Sequence, residues 1–321
     1  MLRRIVLDTC QMSVDILKKS IVHFKQLRSL KFYNTVFTSF SVLWEVLGTL
    51  PSLANLYLDD ADLHSYPTHV LENSYSQSGG PNYFNALESL WAVGSIFLIQ
   101  DLLGIIHSPC LESIEVYCTD LDLVHVRNEH ELEDFFTASM TAIASKWSQS
   151  LKKLVIASKG FARLNPISKS LILLTGLREM QALSLHGWRI ENMDDDVGRL
   201  VKSWPKIRTL HLDETLISLS TLKIIAENCP ELRHLQIRLD ISTIPPFDTP
   251  SKRLSHKLEV LRVENIHPSI TPITLKCQIE MTRFLDLIFP YLKAMYVWDS
   301  DGTWLDIWDL VKLCQDVRRA E

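Results

Sequence analysis

A short pattern, apolar-x-x-apolar-x-apolar, recurs along the chain. It appears at Leu2-Ile5-Leu7, Leu27-Leu30-Phe32, Leu53-Leu56-Leu58, Leu111-Ile114-Val116 and Leu151-Leu154-Ile156. It continues at Met180-Leu183-Leu185, Ile207-Leu210-Leu212, Leu232-Leu235-Ile237, Leu258-Leu261-Val263 and Leu292-Met295-Val297, with a degraded copy at Leu87-Leu90-Ala92. Most of these eleven copies begin 24 to 29 residues apart, and three intervals stretch to 34 or 40. The alternation that closes each copy predicts a strand with one buried face. Between copies the spacing becomes helical, as from Ser13 to Leu17 and onward, Leu132 to Trp147, Leu222 to Ala226 and Ile279 to Phe289. Pro51, Pro205, Pro230 and Pro290 stand just before the next strand, where a residue that cannot continue a helix cuts the unit. Ser13, Ser220 and Thr274 or its neighbours have the chemistry of helix N-caps.

One strand and one helix cannot bury their own apolar face. Stacked copies can, as parallel strands joined by right-handed crossovers. Strands occupy about 4.8 Å each across a sheet and helices about 10 Å, so such a stack bends with its strands inside. The expected fold is α/β: a leucine-rich-repeat solenoid, or horseshoe, of about eleven repeats with a parallel concave sheet and convex helices. It would span residues 1–303, with insertions near 62–86 and 238–257, and a C-terminal capping helix over 304–321.

Composition narrows the function. The chain has 321 residues, is 46% hydrophobic and carries a net charge of −5 with both signs interspersed. A nucleic-acid partner would call for a basic surplus or stripe, so none is expected. No apolar run approaches a membrane span, and the run after Arg3-Arg4 stops at Asp8, too short for a signal peptide; no membrane partner is expected. Cys10, Cys110, Cys118, Cys229, Cys277 and Cys314 are scattered without a C-x-x-C pair, and there is no N-x-[ST] sequon. These point to a cytoplasmic or nuclear protein. G-x-x-x-x-G-K, G-x-G-x-x-G, G-x-S-x-G and H-E-x-x-H are all missing, so neither a catalytic residue nor a cofactor is expected.

Asn228-Cys229-Pro230-Glu231-Leu232-Arg233-His234-Leu235 resembles the junction of cysteine-containing leucine-rich repeats, and Ser108 to Ile114 is a permuted relative. Cys10 falls where such repeats often carry Asn or Cys. Leu258 to Pro268, the helix ending Leu287-Ile288-Phe289-Pro290, and Trp304 to Cys314 are similar to a group of fungal F-box proteins. The resemblance implies the substrate-binding arm of an SCF-type ubiquitin ligase, with a protein substrate on the concave face and the chemistry on other subunits. It departs from that pattern in one respect. The first repeat strand begins at Leu2, where the family places its F-box, with an L-P-x-E-like opening, before the repeats. Docking to the SCF adaptor is therefore implied only if an F-box precedes this chain. A fragment of a longer F-box protein is one reading; a free-standing scaffold or inhibitor is the alternative.

Residues flanking the two inward positions of each copy point to the concave face. In the first half these are Tyr33, Tyr57, Asp59, Trp91, Glu115 and Tyr117, a set whose rings would fall in a row. In the second half they are His186, His211, Asp213, His234, Gln236, Arg238, Arg262, Glu264, Tyr296 and Trp298. Of these, the partner-binding set comprises His211, Asp213, Arg238, Arg262, Tyr296 and Trp298 together with the first-half residues. The three histidines occupy staggered positions and are not expected to converge on a metal or acid–base site. Asp194-Asp195-Asp196 would complement a helix dipole, a structural role. Gly79-Gly80-Pro81 and Pro245-Pro246 favour disorder in part of each insertion.

Leu2, Ile5 and Leu7 face the open end of the stack, where a repeat normally requires a polar cap. Each side chain left in water forfeits about 1.5–3 kcal/mol. Amides of residues 2–8 should therefore exchange rapidly in the isolated monomer, as read by hydrogen–deuterium exchange. Strong protection there would contradict the expectation.

Overall fold

The computed structural model describes residues 2–8, 11–12, 14–21, 23–37, 40–59, 83–119, 129–158, 168–188, 194–245, 254–264, 274–298 and 303–320. The chain forms two compact units, Met1–Phe161 and Ala162–Glu321. The first runs β1 (Arg4–Asp8), β2 (Gln11–Met12), α1 (Val14–Ile21), β3 (Ser29–Tyr33), β4 (Val36–Phe37), α2 (Phe40–Gly48), β5 (Asn55–Asp59) and β6 (Ser89–Gly94). It ends with α3 (Ile96–Ile105), β7 (Ser113–Cys118), α4 (Glu129–Trp147) and β8 (Lys153–Ser158). Six of its strands follow one another in the order β1-β3-β5-β6-β7-β8, and β2 pairs with β4 beside them. The second unit begins with α5 (Ser168–Leu171), which continues as a 3-10 turn, then β9 (Ala182–His186), α6 (Asp194–Ser203), β10 (Thr209–Ser218) and α7 (Leu219–Asn228). It continues with β11 (His234–Asp240), β12 (Val260–Glu264), α8 (Leu275–Ile288), β13 (Ala294–Trp298) and α9 (Thr303–Ala320), with strand order β9-β10-β11-β12-β13.

The pairing is parallel and in step with the motif. Leu30 stands opposite Leu56, Leu56 opposite Leu90, and Leu90 opposite Ile114. In the second unit Leu210 stands opposite Leu235, Leu235 opposite Leu261, and Leu261 opposite Met295. These residues are buried, as are the leading apolar residues Leu27, Leu53, Leu87, Leu111 and Leu151. Eleven strands built on the eleven copies, most of them followed by a helix, make the fold an α/β leucine-rich-repeat solenoid. β1 and β13 depart in burial: Ile5, Leu7 and Val297 are only half-buried, and Leu2 is exposed.

Several sequence expectations are adjusted by the structure. Prolines 51, 205, 230 and 290 fall two or three residues beyond the ends of α2, α6, α7 and α8, as the pattern implied. Thr274 caps α8, its hydroxyl accepting from the Cys277 N–H at 3.3 Å. The cap of α7 is Ser218, which accepts from the Thr221 N–H at 3.2 Å, whereas Ser220 lies inside the helix. The helix follows β10 directly, so the last strand residue is itself the cap. Ser13, Cys10, most of the 62–86 insertion (residues 60–82) and residues 246–253 lie outside the described residues. The rest of 238–257 is not all insertion. Arg238 to Asp240 belong to β11, and His256 is buried, its ring bonded to the Cys229 carbonyl at 2.7 Å and accepting the Leu258 N–H at 3.0 Å.

Helix ends are satisfied across repeats. Lys146 on α4 donates to the carbonyls of Leu103, Gly104 and Ile106 at the end of α3, the sign that complements a helix C-terminus. Asp194, opening α6, accepts from the Ser218 N–H at 2.9 Å and the Thr221 hydroxyl at 2.6 Å at the start of α7. Burial alone would raise its pKa, but these hydrogen bonds outweigh it and hold the carboxyl below its ordinary value.

The helix predicted over 304–317 is α9, which packs on α8. Arg318 pairs with the buried carboxylate of Asp286 and donates to the Pro290 carbonyl at 3.2 Å. Removing one member of a buried pair strands the other. Arg318→Ala should therefore cost about 3 kcal/mol in chemical denaturation, and adding Asp286→Asn should recover part of it. A loss near zero would show that α9 is held by apolar contact alone.

Candidate functional site

Strand alternation sends one set of side chains to the helices and the other to the opposite, open face of the sheet. On β3, β5, β6 and β7 the open-face residues are half-buried and the inward ones buried. The parallel register then lays the open-face residues in rows. One row runs Lys31, Tyr57, Trp91, Glu115. The next runs Asp8, Tyr33, Asp59, Val93, Tyr117.

Four of the expected residues of the first unit meet as rings. Tyr33 and Tyr57 have centroids 4.8 Å apart, Tyr57 and Trp91 stack at 3.7 Å with planes 3° apart, and Trp91 and Tyr117 lie 5.4 Å apart. Lys31, which the sequence reading left out, places its ammonium 4.7 Å from the Tyr57 centroid. It sits between Leu30 and Phe32 with the same parity as Tyr33, so the strand pattern contained it. Burial, then the Asp59 carboxylate and the neighbouring Tyr33, push the Tyr57 phenol up to about 12. Asp59 is held above the usual carboxylate range by burial. Its backbone is pinned by Asn34, whose left-handed turn (φ 46°) aims its N–H at the Asp59 carbonyl at 2.8 Å. Glu115 pairs with Lys153 at 2.8 Å on the exposed margin.

The second unit presents a polar face instead. Its centre is an irregularity in β10. Leu212 pairs with Ile237, but the next pair is Leu216 with Arg238, so Asp213, Glu214 and Thr215 bulge out of the ladder. The bulge carries Glu214, which lies within 3.2 Å of Arg238, while Asp213, level with His186 by the β9–β10 register, lies 3.1 Å from its ring. His186 and His211 have ring centroids 5.8 Å apart, and His211 meets Ser184 at 3.3 Å. Thus the staggered histidines do approach one another, because a diagonal step between adjacent strands is short enough for two rings to touch. His234, at the strand start, lies exposed in another row. Gln236 donates to Glu264 at 2.9 Å, and Arg262 stands over the exposed ring of Tyr296 at 5.5 Å. Trp298 is placed opposite Glu264 by its backbone, and its side chain lies outside the described part. Glu214 was missed because no alternation rule locates a bulge.

The electrostatics follow from burial. His211 is pushed down to about 4, first by desolvation and then by His186, Arg262 and His234, with Asp213 opposing. Glu264 is raised, mainly by desolvation and by the nearby Asp213. Among the described residues no three His, Cys, Asp or Glu side chains are placed to share a metal ion. No described helix is long and apolar enough to cross a membrane.

No protein-family model matches the chain. No curated protein matches it. Solved structures do. An internalin from Listeria monocytogenes is 13% identical over 86% of this chain and 64% of its own, with a TM-score of 0.35. The leucine-rich repeat-containing protein LegL7 from Legionella pneumophila is 12% identical over 97% and 90%, with a TM-score of 0.39. TLR13, in a complex with ssRNA13, is 12% identical over 92% and 45%, with a TM-score of 0.36. The chain thus spans less than two thirds of the length of the internalin and of TLR13.

The depressed His211 pKa fixes a pH dependence. A histidine whose folded value lies below its unfolded 6.5 stabilises fully above pH 6.5 and loses that contribution as pH falls toward 4. The loss approaches ~3 kcal/mol at its limit. Chemical denaturation at pH 7 and pH 4.5 should show it in the wild type and much less of it in His211→Gln. An identical pH slope in both proteins would count against the assignment.

Proposed function

We propose that the chain is a protein-recognition module that holds its partner on the open sheet face, the concave side of the expected arc. The observation that supports this most directly is the stacked row of Tyr33, Tyr57, Trp91 and Tyr117 on a face that no described helix covers. Tyr and Trp dominate the energetics of protein interfaces because a rigid ring removes much area from water at small entropic cost. Asp59 and Glu115 border the row. In the second unit the proposed partner-binding residues are Asp213, His211, Arg238, Arg262, Tyr296 and Trp298, and the reading takes residues 1–303 as repeats with α9 as the C-terminal cap.

Within that reading, the finer assignment is the substrate-binding arm of an SCF-type ubiquitin ligase. The cysteine-containing repeat junction supports it. Cys229 is fully buried at the end of α7, where the helix gives way to Pro230 and the next strand, and its thiol is pushed up to about 12 by burial. A packing cysteine at that point of the repeat is what the F-box/leucine-rich-repeat resemblance implies. The adaptor would dock on an F-box carried outside these residues. Ubiquitin chemistry would belong to other subunits, no residue here is assigned a catalytic role, and the compartment would be cytoplasm or nucleus.

Affinity capture with the wild type and with Trp91→Ala tests both levels. The substitution should weaken the principal partner by about 2 kcal/mol, roughly thirty-fold, while leaving the fold intact by circular dichroism. A partner retained equally by both proteins would move binding off this face. A ligase substrate accumulates when its receptor is removed, so proteins lost by Trp91→Ala should rise in cells lacking the chain. Capture without such accumulation would leave a binding module and remove the ubiquitin-ligase role.

A further inference from the structure

The open face of the first unit contains a carboxylate whose surroundings supply no counter-ion. Asp59 ends β5, and its register partners are Tyr33 on β3 and Val93 on β6. Its neighbour of the same parity along β5 is Tyr57, whose ring is stacked on Trp91. Of the described open-face cations, Lys31 lies against Tyr57 and Lys153 pairs with Glu115, while Arg4 stands at the opposite end of the strands, in the row of Ser29 and Asn55. Among the described residues none forms an ion pair with Asp59. The adjoining open-face position of the same row, beyond Tyr33, is a further carboxylate, Asp8.

A carboxylate set among rings and an aliphatic side chain loses hydration without gaining a partner, which lowers the stability of the isolated fold. The raised pKa of Asp59 has that origin. The position is nonetheless built with care, since Asn34 and the buried Thr35 lock the turn beside it: Asn34 N–H reaches the Asp59 carbonyl, and the Thr35 hydroxyl donates to the Tyr33 carbonyl at 3.0 Å.

We propose that Asp59, with Tyr33 level with it on β3 and Tyr57 beside it on β5, receives an arginine side chain of the protein partner. This rests on the open-face reading above and specifies what the partner must present. A guanidinium fits both halves of the site. Its fork pairs with a carboxylate through two parallel hydrogen bonds, and its flat, weakly hydrated face lies against aromatic rings. A lysine ammonium is more strongly hydrated and offers no second parallel bond, so the surface selects arginine over lysine. A carboxylate with no ion-pair partner among the described residues favours a partner that presents a basic side chain there.

The test uses the full chain and a phage-displayed library of random dodecapeptides, with Tyr57→Ala/Trp91→Ala as the counter-selecting protein. Peptides that depend on the aromatic row should be enriched in arginine. In fluorescence anisotropy, replacing that arginine by citrulline, its neutral isostere, should weaken binding to the wild type at least ten-fold. The same replacement should change binding to Asp59→Asn less than two-fold. Thermal unfolding of Asp59→Asn without peptide should give a Tm equal to or above that of the wild type.

Row-dependent peptides without arginine, or with lysine in its place, would overturn the inference and leave the open-face reading standing. So would a citrulline effect of equal size on both proteins, or a lower Tm for Asp59→Asn, since the latter would mean that the carboxylate already has a structural partner. Failure to recover any peptide dependent on Tyr57 and Trp91 would sink the recognition surface itself.

Discussion

The structure depends on register. In a parallel ladder, a shift of one residue turns every side chain to the wrong face. Here Leu30, Leu56, Leu90 and Ile114 meet without slippage across four successive strands. Burying each such side chain contributes about 1.5–3 kcal/mol, so slipping one strand would expose two or three of them together. That penalty is what keeps the ladder in step. The open face has no comparable say: its order is inherited from the leucines behind it.

That inheritance produces the aromatic row. Positions two residues apart on one strand and level on the next are brought within ring contact whatever occupies them. Tyr57 stacks on Trp91 because each stands between two buried residues, Leu56 and Leu58 in one strand and Leu90 and Ala92 in the next. The second unit uses the same geometry with different chemistry. There the ladder is broken once, in β10, between Leu212 and Leu216, where Asp213 meets His186 and Glu214 meets Arg238. One face presents area and stacked rings, the other paired charges whose energies depend on how much water they keep.

The repeats themselves were legible because they carry two independent signals, period-2 alternation in the strand and a proline after the helix. Even the degraded copy at Leu87-Leu90-Ala92 formed a strand, β6, in register with its neighbours. The row of rings followed from the same parity argument. What the sequence hid were departures from parity and diagonal proximity. The β10 bulge supplied Glu214, and the cap of α7 is Ser218 rather than the expected Ser220 because the helix follows the strand directly. The His186–His211 approach was missed because the two were compared along rows, while the short path between them runs diagonally. His256 was read as part of an insertion because it sits among polar residues, yet its ring fills the core by bonding two backbone groups.

Helix ends show why the repeats are not interchangeable. Each short helix leaves unpaired N–H groups at its start and carbonyls at its end, and a stack this tight admits little water to satisfy them. The neighbouring repeat does so instead: Lys146 turns to three carbonyls at the end of α3, and Asp194 to the Ser218 amide and the Thr221 hydroxyl at the start of α7. Such residues specify which repeat follows which, so the helical side of the stack is constrained copy by copy. The open face is freer. Its side chains contribute little to the packing of the repeats, so a substitution there can change the surface without disturbing the ladder. A repeat architecture therefore separates two tasks that compete in a compact domain, with stability written on the inward positions and recognition on the outward ones.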